Sequence, residues 1–389
     1  MFADEIKNHL TGNLIPFWKG LIDRDFGGYY GFSDFDHKVN EKYEKGCILN
    51  SRILWFFSTC ADLTDDKECI GYAEHAYDFL KSAFLDKENG GVYWSVTYDG
   101  VPLDTTKHTY CQAFAIYALA AYYKVSADEQ SLGIANDLVK IIEQRCRDRE
   151  GYLEAFSSDF SPSSNEKLSE NGVMAERTMN TLLHVYEAYT GLYAVTKDGY
   201  LADRLKEMLT IFRDKMYNPE KHRQEVFFDR DYKPLIDLIS YGHDIETAWL
   251  LDRGIEVLGD DMLKEKYADM TSDLADNILH NAFDGCSLPQ ECEAGVVNED
   301  RVWWVQAEAV NGFINEYLKD PSKTEYKDAA IAQWEYIKQN VIYKDGGEWY
   351  NQLDKAGRPY GNMPVVGPWK CPYHNGRMCL EVIRRGIDF

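Results

Sequence analysis

Two histidines carry the most chemical promise because of what surrounds them. His243 lies in Ser240-Tyr241-Gly242-His243-Asp244-Ile245-Glu246, and His374 in Trp369-Lys370-Cys371-Pro372-Tyr373-His374. Ser240 is a natural N-cap and Pro372 suits a first helical position, so each imidazole falls in the first turn of its own helix. A helix N-terminus carries partial positive charge, which disfavours an imidazolium and keeps the ring a neutral base near pH 7. A lone histidine on an inner helix is more often a hydrogen-bonded structural residue. Two matched ones facing a single cavity are what stereochemical inversion at an acidic carbon requires. Glu246, three residues after His243 on the same face, can orient the ring or bind a substrate hydroxyl.

Other polar and aromatic residues gather at comparable places. Arg52 follows Asn50-Ser51, Tyr110 follows Lys107-His108-Thr109, and His184 follows Asn180 by one helical turn. Arg52 is either an inner ion-pair partner or a donor to a developing oxyanion. Trp303 and Trp304 are neighbours pointing about 100° apart, so one packs as core while the other can serve as a sugar platform. Glu308 is a ligand for substrate hydroxyls or an internal salt-bridge partner. Trp369 precedes the last of these clusters in a long loop. The chain has no H-E-x-x-H, no phosphate-binding G-x-x-x-x-G-K-[ST], no G-x-G-x-x-G and no G-x-S-x-G. A three-histidine metal site from His184, His243 and His374 stays open, but isolated histidines without ligand spacing are weak evidence for one, and no metal or other cofactor is expected.

These residues need a frame. Helical periodicity recurs at roughly 3–22, 46–63, 67–85, 107–126, 128–147, 171–197, 199–217, 241–258, 261–282, 302–319, 323–341 and 372–386. Short polar turns such as Thr196-Lys197-Asp198-Gly199 follow the even-numbered helices. Long segments with hairpin-like aromatic patterns, such as Gly90-Gly91-Val92-Tyr93-Trp94, follow the odd-numbered ones. The even-numbered helices recur about every 61–70 residues, the signature of stacked helical hairpins. Such a repeat also suits an open superhelix. Closed on itself, it is an all-α (α/α)6 barrel of six inner and six outer helices, one domain over residues 1–389. Short β-hairpins then cover the rim where every inner helix begins. The even-numbered helices form the inner ring, because Cys111–Tyr123 holds no charge while Asp128–Arg149 is studded with it.

Composition narrows the partners. Lys and Arg total 42 against 65 Asp and Glu, a net charge of −23 that repels phosphate backbones and anionic lipid, so nucleic acid and membrane are excluded. The 27 Tyr, 18 Phe and 9 Trp suit a large core and a pocket that stacks on sugar rings. Nine scattered cysteines form no C-x-x-C pair, and Met1-Phe-Ala-Asp-Glu lacks a signal-peptide pattern; a cytoplasmic monomer is expected.

Tyr241-Gly-His243-Asp-Ile-Glu246, Arg301-Val-Trp303-Trp304-Val-Gln-Ala-Glu308 and Gly367-Pro-Trp369-Lys-Cys-Pro-Tyr-His374-Asn-Gly-Arg377 resemble the N-acylglucosamine 2-epimerase superfamily, and within it the cellobiose 2-epimerases. The resemblance extends from Ile15-Pro-Phe-Trp18 to the C-terminus. It implies an (α/α)6 barrel without cofactor that inverts C2 of the reducing-end glucose of short β-1,4-linked sugars such as cellobiose and lactose. It also implies His243 and His374 as the acid/base pair, with Arg52, Tyr110, Asn180, His184, Glu246, Trp304 and Trp369 around the sugar. Three other readings compete: an aldose–ketose isomerase or monosaccharide epimerase of the same family, a glycoside hydrolase using Glu246 and Glu308, and a non-catalytic sugar-binding protein.

Overall fold

The computed structural model describes residues 1–387 and 389. Among them run twelve helices: α1 (2–19), α2 (Cys47–Leu63), α3 (69–84), α4 (Thr109–Ser126), α5 (Glu129–Arg145), α6 (Met179–Thr196), α7 (199–216), α8 (Tyr241–Leu258), α9 (261–282), α10 (Trp303–Lys319), α11 (324–341) and α12 (His374–Arg384). The even-numbered helices pack side by side, and α12 returns to α2, which closes an (α/α)6 barrel. Burial separates the two rings. Nearly every residue of α4 from Thr109 to Tyr122 is buried, whereas α5 buries one stripe of Ser131, Ala135, Leu138, Val139 and Ile142. No described helix is long and apolar enough to cross a membrane.

Local chemistry sets each turn. Ala127, Lys197 and Gly259 end α4, α6 and α8 in the left-handed conformation, and the next residue caps the following outer helix. Asp128, Asp198 and Asp260 do so by accepting from the N–H of Gln130, Tyr200 and Leu263. Five outer helices include a π turn, at Leu10–Leu14, Leu80–Phe84, Phe212–Met216, Ile278–Ala282 and Ile337–Val341.

The rim is tied unit to unit. The short strand before each of five inner helices pairs with a strand of the next unit. Lys45–Gly46 meets Ser95–Val96, Lys107–His108 meets Ala155–Phe156, and Arg177–Thr178 meets Phe227–Phe228. Leu238–Ser240 meets Glu291–Glu293, Arg301–Val302 meets Gln352–Leu353, and a bridge from Ser33 to Val366 joins the last unit to the first. The expected local hairpins occur as well, at 95–104, 217–224 and 291–298. Ion pairs with a buried basic member pin four of these strands, Lys45–Asp23, Lys107–Asp86, Arg177–Asp148 and Arg301–Asp284, and Lys370–Glu348 holds the loop before α12, all at 2.6–2.8 Å.

Two helix starts depart from the sequence reading. Pro372 lies before α12, which begins at His374 and not at the proline. α6 starts at Met179, not near 171. Asn171 and Gly172 turn the chain at φ +54° and +73°, and Arg177–Thr178 is committed to its strand pairing.

Candidate active site

The inner helices place equivalent residues on one lumen. Arg52, Phe114, His184, Glu246 and Glu308 are each the sixth residue of their helix, and Arg377 joins them from α12. All six are buried, five of them polar. A lumen this polar must satisfy itself internally or hold a polar ligand.

His374 and His243 both lie against Trp304, with ring centroids 5.5 and 4.7 Å from the indole. Gly242 makes this arrangement possible, because a Cβ there would come within 2.5 Å of the Trp304 ring. The Nδ1 of His374 is 2.7 Å from Glu308 Oε1, so it carries the proton donated to that carboxylate and leaves Nε2 as the basic nitrogen. The Nδ1 of His243 is 2.7 Å from the Ser240 hydroxyl. The sequence reading left Glu246 either to orient this ring or to bind a substrate hydroxyl; the Nδ1 partner is Ser240, whose side chain makes no capping bond to α8. Burial, with His184 nearby, pulls His243 down to about 3 against the pull of Glu308. Burial and the cations Arg377 and Arg52 hold His374 well below the ordinary histidine value. Both rings are therefore neutral at pH 7.

Arg377 is the hub beneath them. Its guanidinium donates to Glu187 at 2.6 Å, to Glu308 at 2.7 Å, and to Glu246 and the Tyr373 hydroxyl. Glu308 also accepts from Trp249 Nε1 at 3.0 Å, and Glu187 is 2.9 Å from His184 Nδ1. Burial and the Glu308 carboxylate push Glu246 up to about 8, so it holds its proton at neutral pH. Burial opposes ionisation of Glu187 too, but Arg377 and His184 bring it down to about 2. Burial pushes Glu308 up as well, with the Arg377 guanidinium opposing it, so Arg377 is the cation that holds this acidic cluster. Glu308 makes internal ion pairs with Arg377 and His374, both at 2.7 Å.

Arg52 is different. Its guanidinium lies over Phe114 and Tyr373 at 4.2 and 4.5 Å and donates to the Tyr110 hydroxyl at 2.9 Å. Its remaining contact is Cys371 Sγ at 3.7 Å, with no carboxylate in reach among the described residues, and its Nε is buried without a partner. The Asn180 Oδ1 and Glu246 Oε2 atoms are likewise unpartnered. Trp369 is 40 % exposed at the rim and packs edge-on to Trp94 and Tyr110, both at 5.8 Å. Trp303 does not line the lumen. It is buried, with Lys370 over its ring and the His374 ring edge-on 5.3 Å away, so it backs the site while Trp304 faces it.

The three histidines do not share one ion site. Among the described residues only Glu246, Glu308 and His374 bring ligand atoms within 4.8 Å of each other, and an Arg377 nitrogen bonds both carboxylates. The lumen also opens at its opposite end as a cavity of about 330 Å³ lined by Trp55, Tyr117, Glu187, Trp249 and Arg384. Neither His243, His374 nor Arg52 reaches it.

Residues 28–375 match the N-acylglucosamine 2-epimerase (GlcNAc 2-epimerase) family. The chain belongs to that family. A cellobiose 2-epimerase of Eubacterium cellulosolvens is 46 % identical over 405 aligned positions, covering all of both chains. A sugar epimerase from a ruminal bacterium superposes with a TM-score of 0.98 at 45 % identity, again over the whole of both chains. The cellobiose 2-epimerase of Bacillus thermoamylovorans B4167 gives a TM-score of 0.95 at 41 % identity over 99 % of each. The protein is thus an isomerase of the N-acylglucosamine 2-epimerase family on an (α/α)6 barrel. Within this family fold, reading the sequence missed Arg377, Glu187 and Tyr373 as site residues. Their signal was present: Glu187 follows His184, and Arg377 follows His374, by the same three-residue step that singled out Glu246.

Proposed function

We propose that this epimerase inverts C2 of the reducing-end glucose of β-1,4-linked disaccharides, cellobiose and lactose among them. The observation that carries this is the pair of neutral imidazoles held against Trp304, each with Nδ1 engaged, beside a buried guanidinium that has no carboxylate partner. The relatives named for cellobiose 2-epimerisation support the substrate class.

The sugar first opens, because only the free aldehyde acidifies the C2 hydrogen. One imidazole takes that proton, and the electron pair moves through C1 to leave negative charge on O1 of an enediolate. Arg52 and Tyr110 stand ready as donors to that oxygen; a well-placed donor contributes about 2.7–4 kcal/mol to such a transition state. The second imidazole delivers a proton to the opposite face of C2 and the ring recloses. Asn180, His184 and the protonated Glu246 hold hydroxyls of the reacting sugar. Trp369, at the rim, stacks on the second sugar. No step calls for a cofactor, and the protein works as a cytoplasmic monomer.

Chromatography of the products formed from cellobiose tests this. Intact glucosyl-mannose is expected. A ketose makes the protein an isomerase of the aldose–ketose kind, free glucose makes it a hydrolase, and unchanged cellobiose with measurable binding makes it a sugar-binding protein.

A further inference from the structure

The barrel repeats one small clamp at the start of its inner helices, and one copy differs in chemistry. The fourth residue of α2, α4 and α10 is an amide: Asn50, Gln112 and Gln306. Each side-chain oxygen accepts a backbone N–H of the neighbouring loop, from Tyr29, Val92 and Leu288. Each side-chain NH2 donates to the carbonyl four residues back, of Gly46, His108 and Val302. The clamp thereby joins the rim loop to the residue that precedes the helix.

In α8 the fourth residue is Asp244, the isostere of Asn50. Its Oδ1 accepts the Gln224 N–H at 3.1 Å, as Asn50 Oδ1 accepts that of Tyr29. Its Oδ2 is buried and has no partner. By the repeat this oxygen stands where Asn50 carries the NH2 that donates to the residue four back, which in α8 is Ser240. Two bare acceptors cannot clamp each other; the pair works only if the carboxyl brings a proton. Ser240 is also the residue whose hydroxyl holds Nδ1 of His243.

We propose that Asp244 is a positioning residue: its neutral carboxyl donates to the Ser240 carbonyl and so fixes the turn from which Ser240 orients His243. This rests on the acid/base reading of His243 given above. The surroundings favour the neutral form. Burial pushes Asp244 up to about 8; the Gln224 backbone N–H, the Arg223 guanidinium and the Gln224 side-chain amide oppose this, and the Glu225 carboxylate adds a little to it. Arg223 is already engaged by Glu225 at 2.9 Å and Asp237 at 2.6 Å. From its own helix Tyr241 also feels the Asp244 charge, with Cys292 beside it. An acid whose folded value is raised keeps its proton below that value, so the clamp is intact at neutral pH and opens as pH rises through about 8.

The experiment compares the pH dependence of kcat for the full-length wild type, Asp244→Asn and Asp244→Ala, each normalised to its own value near pH 7. Wild-type kcat is expected to fall about tenfold by a pH one unit above the Asp244 titration, with KM little changed. Asp244→Asn donates at every pH, so its alkaline limb moves up by at least about one unit. Asp244→Ala has no donor, so its kcat is low throughout and has no limb of its own near pH 8. An infrared difference spectrum between neutral and alkaline wild type should lose one protonated-carboxyl band that Asp244→Asn never shows. An unchanged limb in Asp244→Asn, or the same infrared band in that variant, assigns the titration to another group such as Glu246 and overturns the proposal. Epimerised product from the wild type at pH 7 is scored separately, so failure of the overall function is distinguishable from failure of this clamp.

Discussion

Glu308 and Ser240 hold the two site histidines by the same ring nitrogen, Nδ1, at the same distance of 2.7 Å, yet one partner is a buried carboxylate and the other a hydroxyl. The carboxylate stabilises an imidazolium that forms during turnover, and the hydroxyl does so far less. His374 is therefore the stronger base of the pair once substrate is bound. Replacement of Glu308 by Gln keeps the shape but removes the charge and leaves Arg377 with one anionic partner fewer. It is expected to lower kcat by about 10²–10⁴, the range ascribed to positioned acid–base groups. A steady-state assay decides this; a loss smaller than tenfold would make the pairing merely structural.

Arg52 offers a second handle because its charge is not spent on a carboxylate. Arg52→Met retains much of the packing over Phe114 and Tyr373 but cannot stabilise an enediolate. A drop of about 10²–10³ in kcat is expected, with a smaller change in KM. Equal losses in binding of the unreacted sugar and in turnover would place Arg52 on the ground state instead.

The pH profile follows from the buried histidines. His243 lies near 3 and His374 well below 6.5, so both remain bases as pH falls and are lost only when pH reaches those lowered values. The acid limb of kcat/KM should consequently lie below the ordinary histidine titration, measured by initial rates on a stable time scale. Stability moves first. His9, His108 and His184 are brought by burial to about 4, 3 and 4, so between 6.5 and those values the unfolded chain binds more protons than the folded one. Asp244 and Glu246, raised to about 8, act in the opposite sense over the same range, so the histidine share is read as the wild-type urea midpoint minus that of His108→Asn, a difference that should shrink from pH 7 to about pH 5. A difference that grows over this interval would contradict the buried neutral ring.

Trp369 is exposed at the rim and touches Tyr110, a partner of Arg52. Trp369→Ala should raise KM for cellobiose several-fold more than for glucose or mannose, since the protruding sugar loses its platform. Equal effects on disaccharide and monosaccharide would assign Trp369 to the reacting ring.

The architecture was legible because the two rings differ in charge and because short and long connections alternate; both follow from which face each helix must bury. The start of α6 was harder. Residues 171–178 have a helical pattern of polar and apolar residues, but Asn171-Gly172 is a turn sequence and Arg177 is drawn into a buried pair with Asp148. The site was legible where a residue type announces its chemistry, as His243, His374 and Trp304 do. It was not legible where function depends on which charges share one lumen. Glu187, Glu246 and Glu308 lie 59 to 121 residues apart along the chain, and only barrel closure brings them to Arg377. The π turns of the outer helices also left no mark that propensity could reveal.

The central claim is that a proton leaves C2 and another arrives from the opposite side. Conversion of cellobiose in heavy water, followed by NMR of the product, reads this directly. Each histidine exchanges its proton with solvent between turnovers, so the epimerised disaccharide should carry deuterium at C2 from the first turnovers onward. Recovered cellobiose should acquire less label at early times, because the base that removed the proton can return it. Glucosyl-mannose formed with its C2 hydrogen fully retained would contradict the two-base mechanism, whatever the fate of the overall function.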